Sequence, residues 1–185
     1  MPRLYLVRHG HAAASWTEHL DPGLDDVGTA EAEAVGMHLA SVVDPALIRS
    51  SPLLRTQQTA RPLAERWSCT VLLDPSYGEV PSPSTDPAER RAWLSAALVA
   101  HWSDLGDAVT LWRSRLLEAA ASTAEHTVVF THFVAINAVV GAAMGRPEVI
   151  TFAPANGSVT EIEVDSDTGS LEIVRLGSEA TPEVG

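Results

Sequence analysis

The sequence predicts a three-layer α/β/α sandwich whose sheet is mostly parallel with an antiparallel edge. Short apolar runs of strand length alternate with longer stretches of helical period through the first three quarters of the chain, the pattern of βα units. Near the end the period changes to two strand-like runs around a turn signal, which makes that end of the sheet antiparallel. With 185 residues the chain suits one domain, and a domain of this size buries about 70% of its unfolded surface without a disulfide or metal. The domain is placed at residues 1–176, with the small, polar segment 177–185 expected to fray.

Residues 3–7 read as a short buried strand that runs straight into Arg8-His9-Gly10-His11. Across 28–43, Ala32, Val35, Leu39 and Val42 recur at helical spacing, and Asp44-Pro45 ends the helix. The apolar stretch 46–48 leads to a second helix running to Trp67, with Ser51 expected as its N-cap and Pro52 as its first residue. Residues 70–73 are β-branched and apolar, hence a strand. The segment 74–87 carries four prolines and is expected to be an irregular loop suited to substrate contacts. Helices are expected over 87–101, with Asp86 as its cap, and over 107–124. A buried strand follows over 127–131, ending at His132, and then an apolar helix over 133–144. Strands at 158–164 and 170–176 flank the turn Asp165-Ser166-Asp167-Thr168-Gly169.

Composition narrows the chemistry. The formal charge is -12, and all 12 basic residues are arginine with no lysine anywhere. Without lysine, neither a Walker-type phosphate loop nor Schiff-base chemistry can be built. The GxGxxG turn of dinucleotide-binding folds is missing too. An acidic surface repels phosphate backbones and anionic lipid, so neither nucleic acid nor membrane is expected as a partner. Residues 1–10 carry no long apolar stretch of the kind an export signal uses, and no run approaches the roughly 18 apolar residues of a membrane span. With Cys69 alone, no intramolecular disulfide forms, and a reducing, cytoplasmic location is the expectation. Cys69, entering a strand next to Trp67, is expected to be inert core. Trp16, Trp93 and Trp102 read as core before they read as pocket lining.

Arg8, His9 and His132 sit where buried strands end, and in open α/β sheets ligands bind beyond the carboxyl ends of the strands. If those strands are neighbours, the two histidines share a pocket. Arg55 lies in the expected first turn of a helix, where a cation opposes the helix dipole. That placement suits a bound anion gripped by Arg55 beside free helix amides. A solvated Arg55 offset by Glu31 or Glu33 is the structural alternative. Gly10 leaves room for a ligand to come close.

Taken together, Arg8-His9-Gly10, the stretch Ser51-Pro52-Leu53-Leu54-Arg55-Thr56-Gln57-Gln58-Thr59-Ala60, and Thr131-His132 resemble the histidine phosphatase superfamily, also called phosphoglycerate mutase-like. The motifs stand in the family's order, and Leu24 to Gly28 is similar to the segment before its first helix. The resemblance implies a metal-independent phosphomonoesterase in which His9 takes a phosphoryl group to form a phosphohistidine that water attacks. Arg8, Arg55 and His132 would surround the phosphoryl oxygens, and Glu79 would protonate the leaving group, the other carboxylates on that loop being Asp74, which adjoins the strand end, and Asp86, which reads as a helix cap. The substrate is then a small phosphorylated molecule or phosphate ion, with no cofactor.

His11 and Phe133 depart from the family's usual Glu or Gln and Gly, and with Gly10 they are candidate substrate contacts. Asn156-Gly157-Ser158 matches a stretch that lies near the site in relatives. Other readings stay open: a mutase-type phosphoryl transferase, a metallohydrolase using His9, His11 and His132, and a phospholigand-binding module without turnover. The segment between Glu79 and Arg90 is short and offers only Arg90 and Arg91, which favours hydrolase over mutase. A dimer through the late hairpin would bring Glu161, Glu163 and Glu172 together.

Overall fold

In the computed structural model, which describes residues 1–15 and 19–180, six strands form one sheet in the order β3-β2-β4-β1-β5-β6. The strands are β1 (Arg3–Arg8), β2 (Leu47–Ser50), β3 (Val71–Leu73), β4 (Thr127–Thr131), β5 (Val159–Val164) and β6 (Leu171–Arg175). The first four run parallel, and β5 and β6 are antiparallel additions beyond β1. The expected parallel sheet with an antiparallel edge is therefore what forms. At the β5–β6 turn the Asp165 carboxylate accepts N–H bonds from Asp167 and Thr168, and Gly169 takes a φ of +70° that few other residues tolerate.

The helices are α1 (Asp26–Val42), α2 (Leu54–Trp67), α3 (Pro87–Ala97), α4 (Asp107–Ala121) and α5 (Phe133–Ala143). Side chains alternate across the strands, so β1 feeds both faces. Val7 joins Val35 and Leu39 of α1, Ala60 and Leu63 of α2, and Ile48, Val128 and Phe130 on one side. Leu4 and Leu6 join Leu116 of α4, Ile136 and Val140 of α5, and Val129 on the other. All five residues of β4 are buried, as a central parallel strand covered on both faces must be. No helix among the described residues is long and apolar enough to cross a membrane.

Four expectations change. Helix α2 begins at Leu54, not Pro52, and its N-cap Leu53 supplies no side-chain bond; Ser51 is not the cap because its hydroxyl is turned to His132. Helix α3 stops at Ala97, and a 3-10 turn, Trp102–Asp104, follows. Cys69 is exposed rather than core, because β3 is a three-residue edge strand that covers little. The tail does not fray at Gly177: Ala155 N–H donates to Ser178 O, and Ala180 N–H donates to Ala153 O. Residues 181–185 lie outside the described residues, as does Trp16. Trp102 is buried and Trp93 half-buried in the core beneath α4 and α5.

Candidate active site

The register of the parallel strands builds the site. Arg8 stands opposite Thr131 and Ser50 opposite Phe130, so the residues that follow the three strands, His9, Ser51 and His132, emerge in a row at the carboxyl edge. His9 N–H donates to Thr131 O and Ser51 N–H to Phe130 O, each at 3.0 Å. The two imidazoles meet edge to face with centroids 5.3 Å apart.

Arg55 reaches this row from the first turn of α2 and is 1% exposed. Its Nε donates to His9 Nε2 at 3.1 Å, and its Nη2 lies 3.2 Å from both Glu79 Oε2 and His132 Nδ1. Glu79 Oε2 is also 3.3 Å from His132 Nδ1. The loop that carries Glu79 is tied down beforehand. Tyr77 is buried, Thr131 Oγ1 donates to Tyr77 O at 2.7 Å, and Trp112 Nε1 donates to Gly78 O at 3.2 Å.

Hydrogen positions follow from the partners. His9 Nδ1 is 2.7 Å from Gly10 O, and a carbonyl only accepts, so the proton sits on Nδ1 and the Nε2 lone pair accepts from Arg55 Nε. Burial, the neighbouring His132 and the Arg55 cation hold His9 well below the usual imidazole pKa, which keeps the ring neutral at pH 7. Ser51 Oγ accepts from Leu53 N–H and lies 2.8 Å from His132 Nε2. A hydroxyl can both accept and donate, so Ser51 serves either tautomer of His132: with Nδ1 bare the ring accepts from Arg55 Nη2, and with Nδ1 protonated it donates to Glu79 Oε2. Burial also lowers the His132 pKa, against the pull of Glu79. For Glu79, burial pushes the carboxyl up, but His132, Arg55 and His9 outweigh it and hold the pKa down at about 2.

Two donors in this cluster are buried without an acceptor: Arg8 Nε and Arg55 Nη1. Leaving such groups unpaired is costly, and both belong to side chains lining a cavity of about 460 Å³ together with His9, Glu79, Phe133 and Asn156. A larger groove of about 630 Å³ lies between α2 and β3, lined by Gln57, Arg61, Glu65 and Cys69 among others. It has no comparable set of converging buried groups, so the chemistry belongs to the smaller cavity.

The model of the histidine phosphatase superfamily (branch 1) matches residues 4–176. The chain belongs to that family. Among solved structures, YhfR of Bacillus stearothermophilus is 23% identical with a TM-score of 0.76, the match covering 97% of this chain and 98% of that one. A phosphoserine phosphatase of Entamoeba histolytica in complex with 3-phosphoglyceric acid is 18% identical at 0.73, covering 96% and 98%. The mycobacterial glucosyl-3-phosphoglycerate phosphatase is 21% identical at 0.69, covering 97% and 100%. At these identities the likeness is one of fold, that of phosphoglycerate mutase-like proteins. No curated protein gives a significant sequence match.

In this member of the family, the expected residues separate into two groups. Arg8, His9, Arg55, Glu79 and His132 come together, and the solvated alternative for Arg55 is overturned by its burial. The helix amides expected to stand free beside it are engaged, since Leu53 N–H bonds Ser51 Oγ and Leu54 N–H bonds Asp21 Oδ1. Gly10 does not face the cavity: a Cβ there would lie 2.5 Å from Gly28 O, so glycine allows the strand-end turn to lie against the start of α1. Its N–H donates to Thr59 Oγ1.

His11 lies at the cavity mouth, its ring largely exposed with Nδ1 2.7 Å from Asp25. The trio His9, His11 and His132 proposed for a metal is therefore not assembled. Among the described residues the group whose ligand atoms converge is His9, Glu79 and His132, and the Arg55 guanidinium bonds all three. A fixed cation in the midst of three donors opposes a second one. Phe133 begins α5 with its ring under the Arg8 guanidinium, 5.0 Å from Cζ to centroid, so it supports Arg8 and forms cavity wall. Asn156 Nδ2 donates to His9 O at 3.0 Å. Ser51 and Thr59 were missed as site residues, because their partners His132 and Gly10 are distant in sequence.

Proposed function

We propose that the chain is a metal-independent phosphomonoesterase that works through a phosphohistidine on His9 and acts on a small phosphorylated substrate. The observation that carries this reading is the buried Arg55 guanidinium, bonded to His9, His132 and Glu79 while its Nη1, like Nε of Arg8, has no acceptor. Donors held without acceptors beside a neutral imidazole suit the oxygens of a phosphoryl group, which guanidinium binds in bidentate fashion.

In the first step the Nε2 lone pair of His9 bonds to phosphorus as the ester P–O bond breaks. The leaving oxygen takes a proton from Glu79, while Arg8, Arg55 and His132 hold the remaining phosphoryl oxygens. Water then attacks the phosphohistidine, gives its proton to Glu79, and phosphate departs with His9 neutral again. Glu79, held at about 2 in the empty site, needs its proton supplied. A substrate arriving as the monoanion brings one, and its charge on Arg55 frees the carboxyl to keep it.

Transfer to a second hydroxyl, as in a mutase, calls for further cations around the substrate, and the arginines lining the cavity among the described residues are Arg8 and Arg55. The phosphatase names of two structural relatives also support hydrolysis. Trapping tests the reading. A labelled generic phosphomonoester should leave acid-labile, base-stable phosphate on the wild type, none on His9→Ala, and chelator should not abolish it. Hydrolysis that continues in His9→Ala, or that stops with chelator, overturns the phosphohistidine route; phosphate or vanadate binding with no label from any ester makes the chain a binding module.

A further inference from the structure

Beyond Glu79 the phosphoryl cavity adjoins a second one of about 290 Å³. The two share Arg8, Glu79 and Phe133, and the second is closed by Val80, Leu94, Leu98 and Val134. Val80 and Val134 are buried in the core; Leu94, Leu98 and Phe133 are half-buried. Leu94 comes from α3 and Leu98 from its end, facing α5 across this space. The closing side chains are hydrocarbon, and the polar groups at the junction are already committed. Arg8 Nη1 donates to Pro154 O, its Nε is the phosphoryl donor, and Glu79 is paired with Arg55 and His132.

We infer that this second cavity is the leaving-group subsite and that it selects phosphomonoesters of apolar alcohols, with an alkyl or aryl body, over those carrying a second charged group. The inference rests on the phosphomonoesterase reading of the adjoining site, where Glu79 is the residue that meets the leaving oxygen. A group bonded to that oxygen continues past Glu79 into the hydrocarbon pocket. An apolar body there gains by leaving water. A carboxylate or second phosphate would lose its hydration, and the cation among the described lining residues, Arg8, is already turned to the phosphoryl side.

Binding of non-hydrolysable phosphonates to the full chain, followed by calorimetry, tests this without requiring turnover. 3-Phenylpropylphosphonate should bind about tenfold or more tighter than methylphosphonate or 3-phosphonopropionate, given the apolar area it buries. The ratio should shrink in Leu94→Ala and again in Leu98→Ala, and Val99→Ala, a residue 86% exposed and outside the cavity, should keep it. Equal affinities, or preference for the carboxylated ligand, overturn the subsite. Parallel turnover of 3-phenylpropyl phosphate separates the two readings: the apolar preference without hydrolysis overturns the phosphatase and keeps the subsite, and His9-dependent hydrolysis without the preference does the reverse. If no phosphonate binds, both fall.

Discussion

Helices α2 and α3 both reach the candidate site, α2 through Arg55 in its first turn and α3 through Leu94 near its end, and they start in opposite ways. Helix α3 follows every local rule: Pro87 opens it, the Asp86 carboxylate accepts from Ala88 and Glu89 N–H at 2.9 and 3.0 Å, and Glu89 adds negative charge to the first turn. Helix α2 has Leu53 at its cap, no acid in its first turn, and Arg55 there instead. Part of the missing cap comes from far away, through Asp21 Oδ1 on Leu54 N–H. The difference separates a helix start selected for stability from one that gives up local stability to aim a cation at two histidines. Arg55 bears this out in its own electrostatics: burial lowers its pKa, while Glu79 and Asp21 oppose that and keep the guanidinium charged.

Breaking the α2 side of the comparison should have the largest effect on catalysis. In Arg55→Met the donors to His9, His132 and Glu79 vanish together, and kcat/KM for a phosphomonoester should fall about 10³-fold or more. The helix should persist, since a methionine no longer opposes the dipole and Glu79 keeps His132. Arg55→Lys sharpens the point. One ammonium cannot meet His9 Nε2 while also spanning His132 and Glu79, so activity should stay close to that of Arg55→Met. Activity of Arg55→Lys within tenfold of wild type would mean that charge alone suffices and that the fork geometry is incidental.

Glu79→Gln comes next. With an alkyl phosphate, whose leaving alkoxide needs the proton, kcat should fall about 10²-fold; with 2,4-dinitrophenyl phosphate, whose leaving group needs none, the loss should nearly disappear. The same variant reads the ion cluster through stability. A carboxyl held at about 2 against an ordinary 4.5 stabilises the fold above pH 4.5, and that contribution is lost as pH falls from 4.5 toward 2. Denaturant titration should therefore find the wild type more stable than Glu79→Gln at pH 7, with the gap narrowing below pH 4.5 and closing only near pH 2. A gap that widens on acidification would reverse the sign assigned to this cluster.

How much of this was legible in the sequence follows from the same contrast. Where local rules govern, the reading held: Asp86 was recognisable as a cap, the apolar run of β4 as a buried strand, and Asp165 to Gly169 as a hairpin turn. The convergence of His9 and His132 was also within reach, because parallel strands deliver their ends to one edge whatever their order. The order β3-β2-β4-β1 itself leaves no local trace. Ser51 was misread as a cap because a local rule sees the next few residues, whereas its hydroxyl is engaged by a histidine 81 positions away. Gly10 was read as ligand clearance, and the close approach of Gly28 is what demands glycine. Cys69 looked like core because its neighbours are apolar, yet the strand it precedes is the sheet's edge.

The α3 side offers the smallest effect and the cleanest control. Asp86→Ala removes both cap bonds and should cost about 1 kcal/mol, which lowers Tm by about 2–4 °C for a domain of this size. The Asp86 carboxylate bonds Ala88 and Glu89 of its own helix and is not among the residues that line the phosphoryl cavity, so kcat/KM for a small phosphomonoester should stay within twofold. The pair of outcomes is the test. If Asp86→Ala lost activity along with stability, the start of α3 would also be part of the catalytic apparatus, and the division between a stabilising helix start and a chemical one would fail.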